Sequence, residues 1–517
     1  MHFKKLLTAV MTVSLIAWMA HSSVAATQHV SPKGNDANDG LSWATAKQTI
    51  QAGVDAAGYK GLVLVTDGTY NLDGPIVVSN AITVSSVNGA QHTVVNGNGD
   101  VTSNRVFYLN DGCVLQGFMV ANGQFLEGDG GGVYCVSTNV LIDSCMIMYN
   151  GAKNGGGVYG GTLNSCFLLN NSAVNGAGSY GATLNACGLM YNTANGLGGG
   201  AYDCIMTDCG ILDNAANQSG GGVWGGTLDR CAILKNMAIT GGGACSGTLN
   251  NCVIEENTAT DDGGASQATL NNCTVVKNAA DNNVGGAADS TLNNCIVFNN
   301  EGINVAANCV ARYTCAPDVP AGNGNITAAP MFVDDAGGNY KLALGSPCIN
   351  AGNNNLLPAD AASSDTGGSR RIYGGRVDIG AYECVIGPLL SINDLPGHKV
   401  RVRRTDPVTV TASMVNLPDA YIGIPVDWWL AAYVQNGGLW FYFDPNMNLI
   451  PFDINLANCR PVYQGPLANV PPQTLVKNLR LAPGVYQVWF AVDYPMDGAL
   501  NLTPGYHLLD CVTLTVE

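Results

Sequence analysis

Aromatic side chains recur at one position of a glycine-rich repeat and are the first candidates for chemistry. Each stands four residues after the start of a glycine block, as in "GGGVYGG". The five residues are Tyr134, Tyr159, Tyr180, Tyr202 and Trp224. A solvent-facing stripe of this kind would bind carbohydrate by stacking on sugar rings, whereas an inward-facing one would be an aromatic core. The preceding residue is often apolar too, so alternation does not decide, and we slightly favour the interior.

Charged residues also fall in register with the repeat. One set alternates in sign and consists of Asp213, Lys235, Glu256 and Lys277. A solvent-exposed charge ladder accounts for this set without catalysis, because opposite charges on neighbouring coils attract. A second set is acidic and consists of Asp203, Asp208 and Asp229. It leaves open a carboxylate pair of the kind that glycoside hydrolases use, although no feature singles out two of them.

The C-terminal part of the chain offers one candidate metal site. Asp493, Asp497 and Asn501 in "DYPMDGALN" place oxygen atoms at the alternating spacing of a Ca²⁺-binding loop. The stretch lacks the terminal glutamate of an EF-hand loop, so we favour a hairpin turn. We therefore predict no obligatory cofactor, with Ca²⁺ as the one candidate.

Eight cysteines repeat every 21 or 22 residues, at positions 145, 166, 187, 209, 231, 252, 273 and 295. An asparagine follows each by five residues, so Cys166 and Cys187 are matched by Asn171 and Asn192. Because a strict period places thiols in a line, they do not converge on a metal as zinc ligands do. We expect buried cysteines that pack as small hydrophobic groups and buried asparagines that hydrogen-bond along the stack. Disulfides are expected only outside this ladder, with the candidate pairs Cys309–Cys315, Cys348–Cys384 and Cys459–Cys511.

A period this regular predicts a solenoid, in which each repeat is one coil stacked on the last. Small or aliphatic residues at each cysteine and two positions later flank a variable residue, which is typical of a short strand with one buried face. The predicted fold class is all-β: a right-handed parallel β-helix with 21–22-residue coils, followed by a C-terminal β-sandwich. A leucine-rich-repeat horseshoe also fits "LNSCFLLNN", but the remainder, "GGGVYGG", contains no helix-forming segment.

Three segments resemble known β-helix proteins. "VSPKGNDANDGLSWATAKQTIQAGVDAAGYKGLVLVTDGTY" (30–70) resembles the entry segment of pectate-lyase-like proteins, which implies that "TIQAGVDAA" is a capping helix. The glycine and asparagine repeats resemble those of chlamydial polymorphic outer-membrane adhesins. "SPCINAG" and "DTGGSRRIYGGRVDIGAYE", within 346–383, resemble the closing segment of bacterial surface proteins of the choice-of-anchor type. The lyases of the pectate-lyase-like family use clustered aspartates for Ca²⁺ beside a basic residue, and only Asp261 and Asp262 faintly resemble that arrangement.

These patterns predict four parts of the chain. Residues 1–26 read as a signal peptide, with two lysines before the apolar run "LLTAVMTVSLIAWMA". Residues 27–112 form the N-terminal cap and first coils. Residues 113–384 form the laddered β-helix and its closing segment, and residues 385–517 form an Ig-like β-sandwich.

The charge composition of the sequence argues against two classes of binding partner. The formal net charge is −16 and the sequence pI is about 4.6. Such a surface repels nucleic acid and anionic membranes, so neither is an expected partner. No segment of the mature chain has the length and hydrophobicity of a membrane span. We therefore expect a secreted, extracellular or cell-surface protein.

Three functions fit these features. The leading hypothesis is a non-catalytic, adhesion-type protein that binds a polysaccharide, a cell-surface glycan or another surface. The alternative is an enzyme, either a polysaccharide lyase or a glycoside hydrolase. A structural stalk or spacer is the third.

Overall fold

The residues that the computed structural model describes make up most of the chain. These are residues 26–99, 104–281, 283–343, 345–358, 364–373, 376–385, 387–393, 399–415, 417, 421–435, 437–446, 448–452, 459–494, 496–500 and 507–517. The predicted signal peptide lies outside them, apart from Ala26. Within these ranges no helix combines the length and the hydrophobicity that a bilayer crossing requires.

Residues 62–312 form a parallel β-solenoid of about eleven turns. Its strands belong to four parallel sheets, which we number I to IV in the order in which a complete coil passes through them, and sheet I also includes the preceding strand Thr27–Val30. In the described part of the chain, sheets I, II, III and IV contain 13, 11, 8 and 10 strands. The parallel β-helix predicted from the repeat is therefore confirmed.

The strands are short and occur at regular intervals. Sheet I contains Thr27–Val30, Leu62–Val65, Thr83–Ser86, Val114–Gln116, Leu141–Asp143, Thr162–Asn164, Thr183–Asn185, Ile205–Thr207, Thr227–Asp229, Thr248–Asn250, Thr269–Asn271, Thr291–Asn293 and Val310–Arg312. Sheet II contains Gly68–Asn71, Thr93–Asn96, Met119–Ala121, Met146–Met148, Phe167–Leu169, Gly188–Met190, Gly210–Leu212, Ala232–Leu234, Val253–Glu255, Thr274–Val276 and Ile296–Phe298. Sheet III contains Gln124–Asp129, Gly151–Asn154, Ser172–Asn175, Thr193–Ala194, Ala215–Ala216, Met237–Thr240, Thr258–Asp261 and Ala279–Ala280. Sheet IV contains Ile76–Val78, Phe107–Leu109, Val133–Cys135, Val158–Tyr159, Ser179–Tyr180, Ala201–Tyr202, Val223–Trp224, Ala244–Cys245, Ala265–Ser266 and Ala287–Ala288.

Parallel pairing stacks like residues of successive coils into columns. In sheet I, Thr162–Asn164 pairs in register with Thr183–Asn185. The central Leu163 and Leu184 are fully buried, while the threonines and asparagines on either side are half-buried. Because alternate strand residues point to opposite faces, each short strand supplies one apolar side chain to the interior.

Asparagines occupy the bend between sheets II and III. Oδ1 of Asn192 accepts hydrogen bonds from N and Nδ2 of Asn171, both at 3.0 Å. Nδ2 of Asn192 donates to the Leu168 carbonyl oxygen and to Oδ1 of Asn214, both at 2.9 Å. Asn171 and Asn192 are almost fully buried, so their amides pair backbone groups that the bend would otherwise leave unsatisfied.

Cysteines occupy the bend between sheets I and II. Cys166 and Cys187 are buried, and the backbone N of Cys166 donates to Sγ of Cys187 at 3.4 Å. Elsewhere in the coils, burial raises the pKa of the Cys135 and Cys204 thiols. A thiol with a raised pKa stays protonated at neutral pH and is a poor nucleophile.

All eighteen cysteines are among the described residues, and none of them forms a disulfide. The expected pairs Cys309–Cys315, Cys348–Cys384 and Cys459–Cys511 are therefore wrong. Some of these thiols contact backbone instead: Sγ of Cys309 donates to the Ala287 carbonyl oxygen at 3.3 Å, and Sγ of Cys384 donates to that of Leu342 at 3.5 Å.

The α-helix Ile50–Ala57 is the capping helix implied by the entry segment. Thr49 caps its N-terminus by accepting a hydrogen bond from Ala52 N at 3.2 Å, and Gly58 follows its end with a φ of 72°. Ile50 and Val54 are buried, so the helix covers apolar side chains that the first coil would otherwise expose. Two short 3₁₀ helices span Trp43–Thr45 and Asn354–Leu356.

The structure contains two compact units. The first holds the described residues within Met1–Thr248, Glu255–Ser266 and Ala279–Asn282. The second holds those within Leu249–Ile254, Gln267–Asn278 and Asn283–Glu517.

Within the second unit, the closing segment covers the outer face of sheet II strands. It includes an antiparallel pair, Phe332–Asp334 and Asn339–Leu342. Ala381 N donates to Oγ1 of Thr274 at 3.0 Å. A buried cluster joins the two layers and consists of Val253, Val276, Tyr340 and Ala381.

The C-terminal residues form two further sheets that share one core. The three-stranded sheet contains Gly387–Ile392, Val408–Val415 and Val470–Leu479. The seven-stranded sheet contains Lys399–Val402, Pro425–Val434, Leu439–Phe443, Leu449–Phe452, Tyr463–Pro466, Gly484–Asp493 and His507–Val516. Ile392 and Val410 of the first sheet and Leu430 and Phe490 of the second lie in a single buried cluster, which confirms the predicted β-sandwich.

Candidate functional site

A stack of aromatic rings follows sheet IV in the first unit. It consists of Tyr108, Tyr134, Tyr159, Tyr180, Tyr202 and Trp224. Neighbouring ring centroids lie 4.5–5.2 Å apart, and neighbouring planes differ by 4–18°. We call this set the tyrosine ladder.

Short strands place the ladder on the outer side of the sheet. Val158 is fully buried, and Tyr159, the second residue of the same two-residue strand, is half-buried. Val223 and Trp224 repeat this arrangement. Because successive strand residues point to opposite faces, the rings face outward. The interior position that the sequence slightly favoured is therefore wrong.

Tyr108 belongs to the ladder but was missed in the sequence. It pairs in register with Tyr134, although 26 positions separate the two residues and no glycine block precedes Tyr108. The sequence contains no clear signal for it, because "VFYL" does not alternate between apolar and polar residues, and only the structure shows that Phe107 is buried and Tyr108 half-buried.

The rings meet face to face, which changes how they can contact a ligand. Parallel rings at these centroid distances overlap in an offset stack. Each inner ring is therefore covered largely by its neighbours, and it presents its edge and phenol hydroxyl to solvent. Among the described residues, no protein group hydrogen-bonds to the five phenol hydroxyls. The ladder thus presents a row of hydroxyl groups to solvent in place of the expected row of flat stacking surfaces.

A polar rail accompanies part of the ladder. Nδ2 of Asn154 donates to Oδ1 of Asp129 at 2.9 Å, and Nδ2 of Asn175 donates to Oδ1 of Asn154 at 3.1 Å. Each rail residue precedes the corner glycine of its coil, and a Cβ on Gly176 would lie 3.1 Å from Cβ of Tyr180. The rail and the ladder are therefore neighbouring columns.

Tyr159 and Tyr180 of the ladder keep protonated phenols at neutral pH. Burial raises the pKa of Tyr159 and of Tyr180 above the ordinary value, and the negative charge of Asp129 adds to this effect. A higher pKa favours the protonated phenol, which can donate to and accept from a hydroxyl group.

The two ends of the ladder differ. Arg105 covers the first end, with its guanidinium carbon 4.7 Å from the ring centroid of Tyr134 and 5.4 Å from that of Tyr108. Burial lowers the pKa of Arg105. At the other end Trp224 pairs in register with Cys245, which is not aromatic and ends the stack.

The charged residues considered for catalysis are mostly occupied by ion pairs. Arg230 binds Asp208 with Nε at 2.8 Å and with a second nitrogen at 3.1 Å, and it also contacts Asp229. Lys235 lies 3.4 Å from Glu256. One guanidinium thus neutralises both carboxylates, so the arrangement does not resemble a free acid and base flanking a glycosidic bond.

Of the remaining acidic candidates, Asp262 has a local partner, whereas the side chains of Asp203 and Asp213 make no hydrogen bond or ion pair with other described residues. Oδ2 of Asp262 accepts a hydrogen bond from Ser266 at 2.7 Å. Lys277 donates to the Asp335 carbonyl oxygen at 2.5 Å rather than serving as an exposed base. No group of three His, Cys, Asp or Glu residues among those described could hold a metal ion.

The C-terminal Ca²⁺ candidates lie in different environments. Asp493 is 1% exposed and accepts a hydrogen bond from Nε1 of Trp429 at 2.7 Å. Asp497 lies in the following turn, where its carboxylate accepts from Ala499 N at 2.9 Å. Asn501 lies outside the described residues, so Ca²⁺ binding by this set stays a prediction.

Comparison with known proteins gives structural similarities only. No protein-family model matches the chain. No curated protein matches it. A rhamnogalacturonan lyase structure is 11% identical, with a TM-score of 0.36 over 60% of this chain and 91% of that one. A pectin methylesterase from Aspergillus niger is 11% identical, with a TM-score of 0.28 over 48% and 84%. The catalytic domain of a GH87 alpha-1,3-glucanase is 13% identical, with a TM-score of 0.22 over 59% and 70%. At these scores the similarities support no conclusion about activity.

Proposed function

We propose that the protein is an exported glycan-binding protein that contacts an extended, uncharged polysaccharide along the tyrosine ladder. The observation that carries this proposal is the row of outward phenol hydroxyls that have no hydrogen-bond partner in the described part of the chain. A polysaccharide is a repeating polymer rich in hydroxyl groups, so each ladder residue can hydrogen-bond to a successive part of the polymer.

The polar groups beside the ladder and the net charge of the protein favour an uncharged ligand. Asp129 and the amides of Asn154 and Asn175 supply hydrogen-bonding groups beside the rings. The net charge of −16 opposes an acidic polysaccharide. Individual hydroxyl contacts are weak, but several on one polymer add through multivalency.

Affinity electrophoresis through gels containing neutral polysaccharides tests the proposal. The variant Y159F/Y180F/Y202F keeps the stacked rings and removes three hydroxyls, so stability should change little. If each hydroxyl contributes about 1 kcal/mol to binding, loss of three should weaken the affinity for the polysaccharide by a factor on the order of 10². The polysaccharide in the gel should then retard the variant less than it retards the unaltered protein.

The matched control is Y149F/Y191F. Tyr149 and Tyr191 are 52% and 53% exposed but lie in turns outside the ladder, so the control should bind as the unaltered protein does. Equal binding by both variants would refute the proposal, as would the absence of binding to any neutral polysaccharide in the panel.

A further inference from the structure

The seven-stranded sheet of the β-sandwich has a second apolar face, opposite the shared core. Leu430 and Phe490 point into that core, whereas their neighbours Trp429 and Ala491 belong to a separate buried cluster. Alternation along each strand produces this division. The second face is therefore apolar without contributing to the sandwich interior.

A cavity of about 240 Å³ lies over this second face. Its aromatic walls are Trp429, Trp440, Tyr442, Phe452 and Trp489. The Phe452 ring stands at 64° to Trp440 and at 78° to Tyr442, with centroids 6.0 and 5.9 Å apart. Edge-to-face contacts of this kind fix the rings against each other, so the rings form the walls of the cavity and do not fill it.

One polar group of the lining is unpaired. Nε1 of Trp489 is buried and has no hydrogen-bond partner among the described residues. Trp429, another wall residue, donates its Nε1 hydrogen to Asp493. A buried donor without a partner is unfavourable, and an acceptor inside the cavity would pair with it.

We propose that this cavity binds a small apolar ring compound carrying one hydrogen-bond acceptor, which pairs with Nε1 of Trp489. A cavity of about 150 Å³ accepts benzene, so this one has room for a benzene ring with a small substituent. A monosaccharide does not fit the chemistry, because most of its hydroxyls would lose water without gaining partners. This site is independent of the tyrosine ladder and of glycan binding.

Two probes of the same shape test the proposal by isothermal titration calorimetry on the full chain. Acetophenone carries a carbonyl acceptor, and α-methylstyrene replaces that oxygen with a methylene group. The unaltered protein should bind acetophenone about tenfold more tightly, which corresponds to one hydrogen bond. The variant W489F should lose this preference while still binding α-methylstyrene.

The control variant is W428F. Trp428 also has a buried, unpaired Nε1 among the described residues, but its ring packs against Phe490 at 5.5 Å, on the side of the shared core. W428F should keep the acetophenone preference. The proposal is overturned if neither probe binds the unaltered protein, if both bind it equally, or if W428F abolishes the preference as W489F does.

Discussion

Asn192 makes four hydrogen bonds with one buried side chain, and this determines what its replacement does. The substitution N192L leaves the Leu168 carbonyl oxygen and the amides of Asn171 and Asn214 without their partners. We expect the free energy of unfolding to fall by about 1–3 kcal/mol, because unpaired buried polar groups are costly.

Denaturant titration measures this loss, and N217L is its control. Asn217 is exposed, and among the described residues its side chain makes only a 3.4 Å hydrogen bond, to Oδ1 of Asn195. The control should lie within about 0.5 kcal/mol of the unaltered protein. Equal effects of the two substitutions would contradict a structural role of the asparagine column.

Buried carboxyl groups in the closing segment predict a pH dependence. Burial raises the pKa of Asp378 from 3.8 to about 6, and it raises the pKa of Asp365 and Glu383 in the same direction. The folded state therefore holds protons that the unfolded state releases. Stability is greatest below the unfolded pKa and falls as the pH rises through about 6, by about 3 kcal/mol for Asp378 alone.

Denaturant midpoints at pH 4.5 and 7.5 check this sign. D378N should flatten part of the pH dependence, whereas D334N, at an exposed position, should preserve it. Stability that rises between these pH values, with D378N removing the rise, would show that the carboxyl pKa is lowered instead.

At the element scale, glycines at the corners allow the backbones of neighbouring coils to approach each other closely. A Cβ on Gly199 would lie 2.4 Å from the carbonyl oxygens of both Ala215 and Gly221, whereas a Cβ on Gly210 would meet no atom within 4 Å. G199A should therefore destabilise the solenoid by about 1–3 kcal/mol through overpacking. G210A should be neutral or slightly stabilising. Thermal unfolding of the two variants compares them, and a harmless G199A would contradict the corner geometry.

The sequence contained enough information for the repeating elements. Cysteine and asparagine recur once per coil, so their spacing reports the coil length, and parallel stacking follows from it. The orientation of Tyr159 could not be read, because its strand has two residues and alternation needs a longer run. The turn at Gly155–Gly157 determines how the strand after it is oriented, and the geometry of this turn is visible only in the three-dimensional structure. The sequence also could not show that Nε1 of Trp489 lacks a partner among the residues that the structure describes, since pairing depends on distant strands.

At the scale of the whole molecule, the two compact units carry different kinds of surface. The first unit presents a hydroxyl-rich edge along the tyrosine ladder, which suits a long polar ligand. The second unit contains an apolar cavity, which suits a small one. Each proposal can therefore fail without the other, and the net charge of −16 disfavours anionic ligands at both.

Hydroxyl-radical footprinting with mass spectrometry tests glycan binding along the tyrosine ladder most directly. A neutral polysaccharide that is retained in affinity electrophoresis should protect Tyr134, Tyr159, Tyr180 and Tyr202 from oxidation. Tyr149 and Tyr191, which are more exposed and lie outside the ladder, should react equally with and without the polysaccharide. Protection of Tyr149 and Tyr191 with unchanged oxidation of the ladder would contradict the account.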